Sequence, residues 1–261
     1  HVPINPVLKR AQVAHILADS GAALVLTGSA RAATLTNGDI APDCRVIDEG
    51  EARAARQSSI ALPPSAHDPE ALAAILYTSG STGRPKGVML SHANLWLGAV
   101  SVAHYLRLQP DDRTLAVLPL GFDYGQNQLF SSWRAGACVV PLDFLTAGDV
   151  FRAIEREAIT TLAAVPPLWL QLVEHPGAPA RDVRRLTNSG GALTPALIAA
   201  IEMKFPGADV YPMYGLTEAF RSTYLPPALV ATHPTSMGCA IPFAEVMVVA
   251  NDGREASDGE P

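Results

Sequence analysis

Hydrophobic residues along this chain form short apolar runs that alternate with longer segments of helical spacing. The runs predict strands at 22–26, 45–47, 71–76, 114–118, 138–140, 161–165, 185–187, 209–213 and 245–249. The longer segments predict helices at 8–20, 91–106, 121–135, 147–158 and 194–205, with a short helix from 166. A polar stretch, 51–69, predicts a connecting loop. This alternation is typical of α/β proteins, so we expect layered, largely parallel sheets flanked by helices.

Length, charge and cysteine content narrow the class of protein. The 261 residues are 48% hydrophobic, enough to bury a sizeable core in one large domain or two small ones. A net charge of −6 argues against nucleic acid as a partner. No segment approaches the ~18 consecutive apolar residues of a spanning helix, which predicts no membrane insertion. Three widely spaced cysteines suit neither a disulfide framework nor a metal site, so we expect a cytoplasmic protein.

One polar stretch between two apolar runs is the strongest candidate for a ligand site. It contains three glycines, four Ser or Thr residues and one lysine, in the order Tyr77-Thr78-Ser79-Gly80-Ser81-Thr82-Gly83-Arg84-Pro85-Lys86-Gly87. Backbone N–H groups in such a turn form an anion-binding concavity, and a lysine adds a point charge suited to phosphate. The stretch therefore predicts a loop that holds a polyphosphate, although similar clusters also occur in plain surface loops. A Walker A loop is disfavoured, because Lys86 is preceded by Pro85 and followed by Gly87.

Residues 77–87 resemble the phosphate-loop motif of the AMP-forming adenylating ligases. This family includes acyl-CoA synthetases, adenylation domains of nonribosomal peptide synthetases, and luciferases. Two further stretches follow in the family's order, Ser189-Gly190-Gly191-Ala192-Leu193 and Tyr214-Gly215-Leu216-Thr217-Glu218. The resemblance covers nearly the whole chain. It implies that 1–230 is part of the large N-terminal adenylation domain and 231–261 the start of a β-rich subdomain, without the lysine-bearing C-terminal domain.

The resemblance also implies a nucleotide site. The phosphates would be held by Thr78, Ser79, Gly80, Ser81, Thr82, Gly83 and Lys86. Gly190, Gly191 and Ala192 would line the adenine pocket, with Tyr214 and Gly215 along the base. Thr217 would contact the α-phosphate region and Glu218 would hold Mg²⁺, which prefers oxygen ligands. The catalytic residues would then be Lys86, Thr217 and Glu218.

Each of these residues also has a plainer interpretation. The plainer and less favoured interpretation of Glu218 is an acid at the start of a helix, where the dipole favours it. Gly190 and Gly191 also suit a helix-initiating turn. The family often carries Asn or Gln two residues before the motif tyrosine, where this chain has Pro212. That departure puts a side-chain contact to the adenine amino group in doubt.

Phe122-Asp123-Tyr124 is the most informative stretch for the substrate. In amino-acid adenylation domains a Phe-Asp pair precedes Gly-Ala by a fixed interval, and here Phe122-Asp123 stands at that interval from Gly136-Ala137. The resemblance then implies that Asp123 pairs with a substrate ammonium. In acyl-CoA synthetases Tyr124 would instead shape the acyl tunnel. A third interpretation is that Asp123 is a helix N-terminal acid without a ligand.

The function implied by the resemblance is that of an ATP-dependent acyl-CoA synthetase. Such an enzyme activates a carboxylic acid as acyl-AMP and transfers it to a thiol, with ATP and Mg²⁺ as cofactors and coenzyme A or a pantetheinyl carrier protein as acceptor. One alternative is an amino-acid adenylation domain that loads a carrier protein. Alternatives from other classes are an inactive nucleotide-binding module, a P-loop NTPase and a scaffold fragment. We expect this chain alone to turn over slowly or not at all.

Overall fold

A computed structural model describes residues 1–36, 38–55, 66–78, 84–257 and 259 of the chain. Helices lie at Arg10–Ser20 (α1), Ser29–Ala32 (α2), Glu49–Ala55 (α3), His92–Tyr105 (α4), Asp123–Arg134 (α5), Ala147–Arg156 (α6), Pro166–Glu174 (α7), Pro195–Lys204 (α8) and Pro227–Val230 (α9). Strands lie at Leu24–Thr27 (β1), Arg45–Asp48 (β2), Leu72–Thr78 (β3), Lys86–Ser91 (β4), Arg113–Ala116 (β5), Cys138–Pro141 (β6), Thr161–Ala164 (β7), Arg185–Asn188 (β8), Asp209–Leu216 (β9), Phe220–Tyr224 (β10) and Cys239–Ala240 (β11). None of the helices in these described ranges is long and apolar enough to cross a bilayer.

The chain divides into two compact units. The N-terminal unit comprises His1–Leu95 with Leu120–Asp123, and the C-terminal unit comprises Trp96–Pro119 with Tyr124–Pro261. In the N-terminal unit, β1 and β2 pair in parallel and α1 packs Val13 and Leu17 against Val25. Helix α1 ends at Gly21, whose φ of 62° is a left-handed conformation that glycine adopts without steric cost.

The β3–β4 hairpin carries the two ends of the predicted phosphate loop. The strands are antiparallel and pair Thr78 with Lys86. Lys86 and Gly87 therefore belong to β4 rather than to the loop, where the sequence had placed them. Residues of α1 contact both strand ends: Tyr77 donates a hydrogen bond to Asp19 (2.6 Å), and His15 Nε2 lies 3.1 Å from the carbonyl oxygen of Pro85. Burial, followed by the hydrogen bond to Asp19, raises the pKa of Tyr77.

An ion pair in the N-terminal unit predicts an acid-dependent loss of stability. Arg10 donates to Asp39 (2.6 Å), which also accepts from the backbone N–H of Thr36, and these hydrogen bonds lower the pKa of Asp39 to about 2. Because the folded-state pKa is depressed, Asp39 stabilises the fold above its ordinary pKa of 3.8 and loses this effect as the pH falls toward 2. We expect Asp39→Asn to lower the urea midpoint at pH 7 and to match wild type near pH 2. Asp43→Asn, an exposed control in the same loop, should show no such convergence.

A seven-stranded sheet forms the centre of the C-terminal unit. Its strand order is β11-β10-β9-β8-β7-β5-β6. The five strands from β6 to β9 are parallel, β10 pairs antiparallel with β9, and β11 pairs antiparallel with β10. All four residues of β7 are buried, as expected for a parallel strand covered by helices on both faces. Trp169 of α7 and Phe205 after α8 are fully buried and pack edge to face. The predicted fold class is confirmed.

Three predictions of secondary structure were wrong. Residues 51–55 form part of α3 rather than a loop, and the placement of 56–65 lies outside the described residues. The strand predicted at 245–249 is not formed; the described structure there has one bridge, between Val249 and Glu255, around a turn at Asp252-Gly253. Strand β9 runs three residues beyond its predicted end at Met213, because β10 pairs with that extension.

Candidate active site

Two of the sequence motifs meet in one cavity of the C-terminal unit. The cavity has a volume of about 490 Å³ and lies where β8 and β9 end. It is lined by Gly190, Gly191 and Ala192 of the first motif and by Tyr214 and Gly215 of the second. Carboxyl ends of parallel strands are the usual ligand sites of open α/β sheets, and the volume lies in the range of small-molecule sites. The opposite wall, residues 234–237, carried no recognisable signal in the sequence.

Backbone geometry explains the two glycines. Gly190 has a φ of 79°, a left-handed conformation that would strain any residue with a Cβ atom. A Cβ on Gly191 would lie 3.0 Å from Cγ of Pro166. After the turn, Thr194 caps α8 by accepting a hydrogen bond from the N–H of Leu197 (3.2 Å), so the turn that lines the cavity also begins a helix.

Asn188 is a site residue that sequence reasoning missed. It is buried at the end of β8, lines the cavity, and donates from Nδ2 to the carbonyl oxygen of Gly191 (2.8 Å). This contact ties the glycine turn to the strand. An asparagine two residues before a Gly-Gly pair is the signal that could have indicated it, because Asn side chains commonly bond nearby turn backbone.

We expect Asn188→Ala to loosen this turn. The variant leaves the carbonyl oxygen of Gly191 without its side-chain donor, so the free energy of unfolding should fall by about 1–2 kcal/mol and nucleotide affinity should fall with it. Urea unfolding and nucleotide titration measure the two effects. Asn251→Ala, at an exposed turn, is the control. Unchanged nucleotide affinity in Asn188→Ala would contradict a role for this turn in the site.

Thr217 and Glu218 lie in the turn that joins β9 to β10. The N–H of Ala219 donates to the carbonyl oxygen of Leu216 (3.2 Å), which closes the turn. The described residues there form a turn and then a strand, so the interpretation of Glu218 as a helix-start acid is wrong. Its carboxylate is exposed. Within the described ranges no three His, Cys, Asp or Glu side chains cluster as a metal cage. A single exposed carboxylate fits Mg²⁺, which commonly binds through one or two carboxylates and substrate phosphates.

The phosphate-loop residues lie in the N-terminal unit. Thr78 ends β3, and Lys86 begins β4 with an exposed side chain. The predicted site residues Ser79, Gly80, Ser81, Thr82 and Gly83 lie outside the described residues. The described geometry of the motif is therefore that of its two flanking strand ends.

The predicted substrate residues lie at the start of α5. Phe122 is 39% exposed, and Asp123, the first helical residue, is 5% exposed. Tyr124 is buried, its hydroxyl lies 2.6 Å from Oγ1 of Thr187, and the Arg221 guanidinium lies over its ring at 4.4 Å. Gly125 is required here, because a Cβ atom would lie 2.2 Å from the carbonyl oxygen of Pro119.

Helix α5 also buries a polar face that sequence reasoning missed. Its buried residues include Asn127, Gln128, Ser131 and Ser132, which recur at positions i, i+1, i+4 and i+5. Such spacing defines one side of a helix, which in an ordinary α/β core is apolar. The signal was therefore available in the sequence, since a polar stripe replaces the expected apolar one.

Sequence comparisons match this chain to known proteins. The sequence model of the AMP-binding enzyme family matches residues 1–261. Feruloyl-CoA synthase from Amycolatopsis sp is 32% identical over 264 residues, 99% of this chain and 52% of that protein. Gramicidin S synthase 2 from Brevibacillus brevis is 30% identical over 221 residues, 84% of this chain and 5% of that protein. The chain thus spans about half the length of the first relative and a small part of the second.

Solved structures show the same fold. The crystal structure of VinN superposes with a TM-score of 0.84 at 28% identity, covering 99% of this chain and 66% of that one. O-succinylbenzoate coenzyme A synthetase from Bacillus subtilis, in complex with ATP and magnesium ion, gives a TM-score of 0.81 at 27% identity, covering 97% of this chain and 52% of that one. The chain belongs to the AMP-binding enzyme family, the AMP-forming adenylating ligases.

Proposed function

We propose that the protein carrying this chain is an AMP-forming acid–thiol ligase. The observation that carries the proposal is the cavity where β8 and β9 end, which the glycine turn and the Tyr214 strand line together. In the proposed reaction a substrate carboxylate attacks the α-phosphorus of ATP, and an acyl-AMP and pyrophosphate form. The acyl group then passes to the thiol of coenzyme A or of a pantetheinyl carrier protein. We place this activity in the cytoplasm.

The C-terminal unit carries the proposed nucleoside and metal contacts. In the C-terminal unit, Gly190, Gly191, Ala192, Tyr214 and Gly215 bind the nucleoside. In the same unit the Glu218 carboxylate holds Mg²⁺, and the Thr217 hydroxyl contacts the α-phosphate region. Positioning and charge stabilisation are the main sources of rate in such a reaction.

The N-terminal unit supplies the phosphate contacts in this proposal. Thr78, Ser79, Gly80, Ser81, Thr82 and Gly83 offer hydroxyl and backbone N–H donors. Lys86 adds positive charge, and its exposure at the start of β4 supports this role. Lysine binds phosphate as a point charge, so its removal weakens binding without abolishing it.

A second candidate is an amino-acid adenylation domain that loads a carrier protein. Asp123 supports it, because a buried carboxylate at the start of α5 suits a substrate ammonium. One structural relative, VinN, has been solved in complex with L-aspartate, with a TM-score of 0.79 at 28% identity. Asp123→Asn distinguishes the two candidates, since it should abolish activity with amino acids and leave activity with simple carboxylic acids.

The proposed function is tested by acid-dependent exchange of labelled pyrophosphate into ATP. The protein carrying this chain is screened against carboxylic and amino acids, and ATP with Mg²⁺ should also raise its melting temperature by mass action. Lys86→Ala should weaken the ATP response modestly, whereas Lys9→Ala, at the other exposed lysine, should not. Exchange with no acid, together with no stabilisation by ATP, would refute the proposal.

A further inference from the structure

A small chamber lies in the C-terminal unit beside the cavity described above. Its volume is about 20 Å³, and it lies between α5 and the strands β7, β8 and β9. Met213 lines both the chamber and the larger cavity, so this side chain stands between the two spaces. A volume of this size accommodates about one water-sized group.

Three buried polar atoms around the chamber lack hydrogen-bond partners among the described residues. They are Nδ2 of Asn127, Oε1 of Gln128 and Oγ1 of Thr161, on side chains of residues that are 2%, 6% and 3% exposed. All three residues line the chamber. A buried polar group without a partner costs about 1–3 kcal/mol, so such a cluster is unusual unless something in the chamber satisfies it.

The hydrogen bond that Gln128 makes determines which of its amide atoms faces the chamber. Gln128 donates from Nε2 to the carbonyl oxygen of Tyr124 (3.3 Å), so its oxygen, an acceptor, is the atom left over. Asn127 offers an N–H donor, and the hydroxyl of Thr161 both donates and accepts. The chamber therefore matches a group that donates and accepts at once.

We propose that this chamber receives a hydroxyl group on the far part of the substrate's carbon chain, so that the preferred substrate is a short hydroxy acid. This inference rests on the proposed function and specifies its substrate class. A hydroxyl fits the volume, accepts from Asn127 and donates to Gln128. A site built to bind a hydroxyl rejects the analogue lacking it strongly, because its own polar groups are then left unpaired.

Competing groups match the chamber less well. An alkyl chain leaves all three polar atoms unsatisfied. An ammonium group only donates, and the positive Arg221 guanidinium also lines the chamber. A carboxylate is attracted by Arg221, but it only accepts and would face the oxygen of Gln128 in a space of water size. A second carboxylate is therefore the main competitor, and the experiment includes it.

The experiment measures pyrophosphate exchange by the protein carrying this chain with matched acids. Short ω-hydroxy acids are each compared with the alkanoic acid and the dicarboxylic acid of the same carbon number. We expect the best hydroxy acid to exceed its alkanoic partner by at least about 100-fold in kcat/KM. Equal use of the two, or a preference for the dicarboxylic acid, would overturn the inference while leaving the ligase proposal intact. Exchange with none of the acids in the wider screen would instead refute the ligase proposal itself.

Thr161→Val tests the chamber directly with a nearly isosteric change. It removes one polar group of the chamber, so the ratio of kcat/KM for the hydroxy acid to kcat/KM for its alkanoic partner should fall about tenfold. The melting temperature of the free protein should not fall, because the hydroxyl removed has no protein partner in the described structure. Thr232→Val, at an exposed position, is the control for the same substitution. An unchanged preference in a folded Thr161→Val variant would overturn the inference.

Discussion

Replacing Glu218 with alanine is expected to lower acid-dependent pyrophosphate exchange by about 100-fold or more. Removing one preorganised charge-stabilising group typically costs this much in enzymes that rely on electrostatic stabilisation. Glu218 lies in the turn between β9 and β10 and its carboxylate is exposed, so replacing this side chain should leave the fold intact. The loss should therefore appear in kcat rather than in the melting temperature.

The Mg²⁺ dependence of pyrophosphate exchange distinguishes metal binding by Glu218 from any other role of this side chain in the reaction. In Glu218→Ala the concentration of Mg²⁺ needed for half-maximal exchange should rise, and Glu218→Gln, which keeps the shape and loses the charge, should behave similarly. Glu202→Ala removes an exposed acid near the end of α8 and should behave as wild type. If Glu218→Ala keeps both the wild-type rate and the wild-type Mg²⁺ requirement, the assignment of this carboxylate is wrong.

The sequence predicted the motif residues that line the cavity but not the other residues of its wall. Gly190 and Gly191 were identifiable because they belong to a stretch that resembles a family motif, and the structure places both in the cavity with Tyr214. The wall formed by 234–237 has no periodicity or special chemistry of its own. It lines the cavity only through tertiary packing, as where the carbonyl oxygen of Met237 accepts a hydrogen bond from Thr223 (2.6 Å).

The predicted strand boundaries were wrong where pairing between strands, rather than the local sequence pattern, determines them. The prediction ended β9 at Met213 because a glycine-containing motif follows, but β10 continues the ladder to Leu216. At 245–249 the apolar pattern is strand-like, yet the described structure pairs only Val249, with Glu255. β propensity reflects partners and burial as much as the residues themselves, so a single run without a partner is a poor predictor.

The polar chamber shows a different limit of prediction from the sequence pattern. Binary patterning assigns buried positions to apolar residues, so the polar stripe of α5 is unusual in the sequence but the pattern does not show that it is buried. Only the register of α5 against Thr161 and Thr187 shows that this face is interior. Residues that break the pattern inside a core are expected at functional sites, which is why the chamber and not the apolar core carries the substrate inference.

Replacing Asp112 with alanine is expected to destabilise the C-terminal unit by about 3–5 kcal/mol, the typical cost of leaving a buried partner charge uncompensated. Asp112 is fully buried at the amino end of β5. Its carboxylate accepts from the hydroxyl of Thr160 (2.7 Å), from Arg185 (2.7 Å) and from the backbone N–H of Gln109 (2.8 Å). Arg185, only 12% exposed in its side chain, also donates to the carbonyl oxygen of Leu106 (2.6 Å).

This network joins the amino ends of β5, β7 and β8, whereas the cavity lies at the carboxyl ends of β8 and β9. Urea unfolding should therefore show a large loss for Asp112→Ala, while nucleotide affinity measured well below the melting temperature stays near wild type. Asp111→Ala is the matched control. The Asp111 carboxylate pairs with Arg184 (2.9 Å) at an exposed position, where ion pairs contribute little to stability. If the two variants unfold at the same urea concentration, Asp112 does not stabilise the sheet in the way its contacts indicate. Should Asp112→Ala fail to fold, Thr160→Val removes the hydroxyl that donates to Asp112 (2.7 Å) and accepts from the backbone N–H of Arg113 (3.0 Å), which should cost about 1–3 kcal/mol.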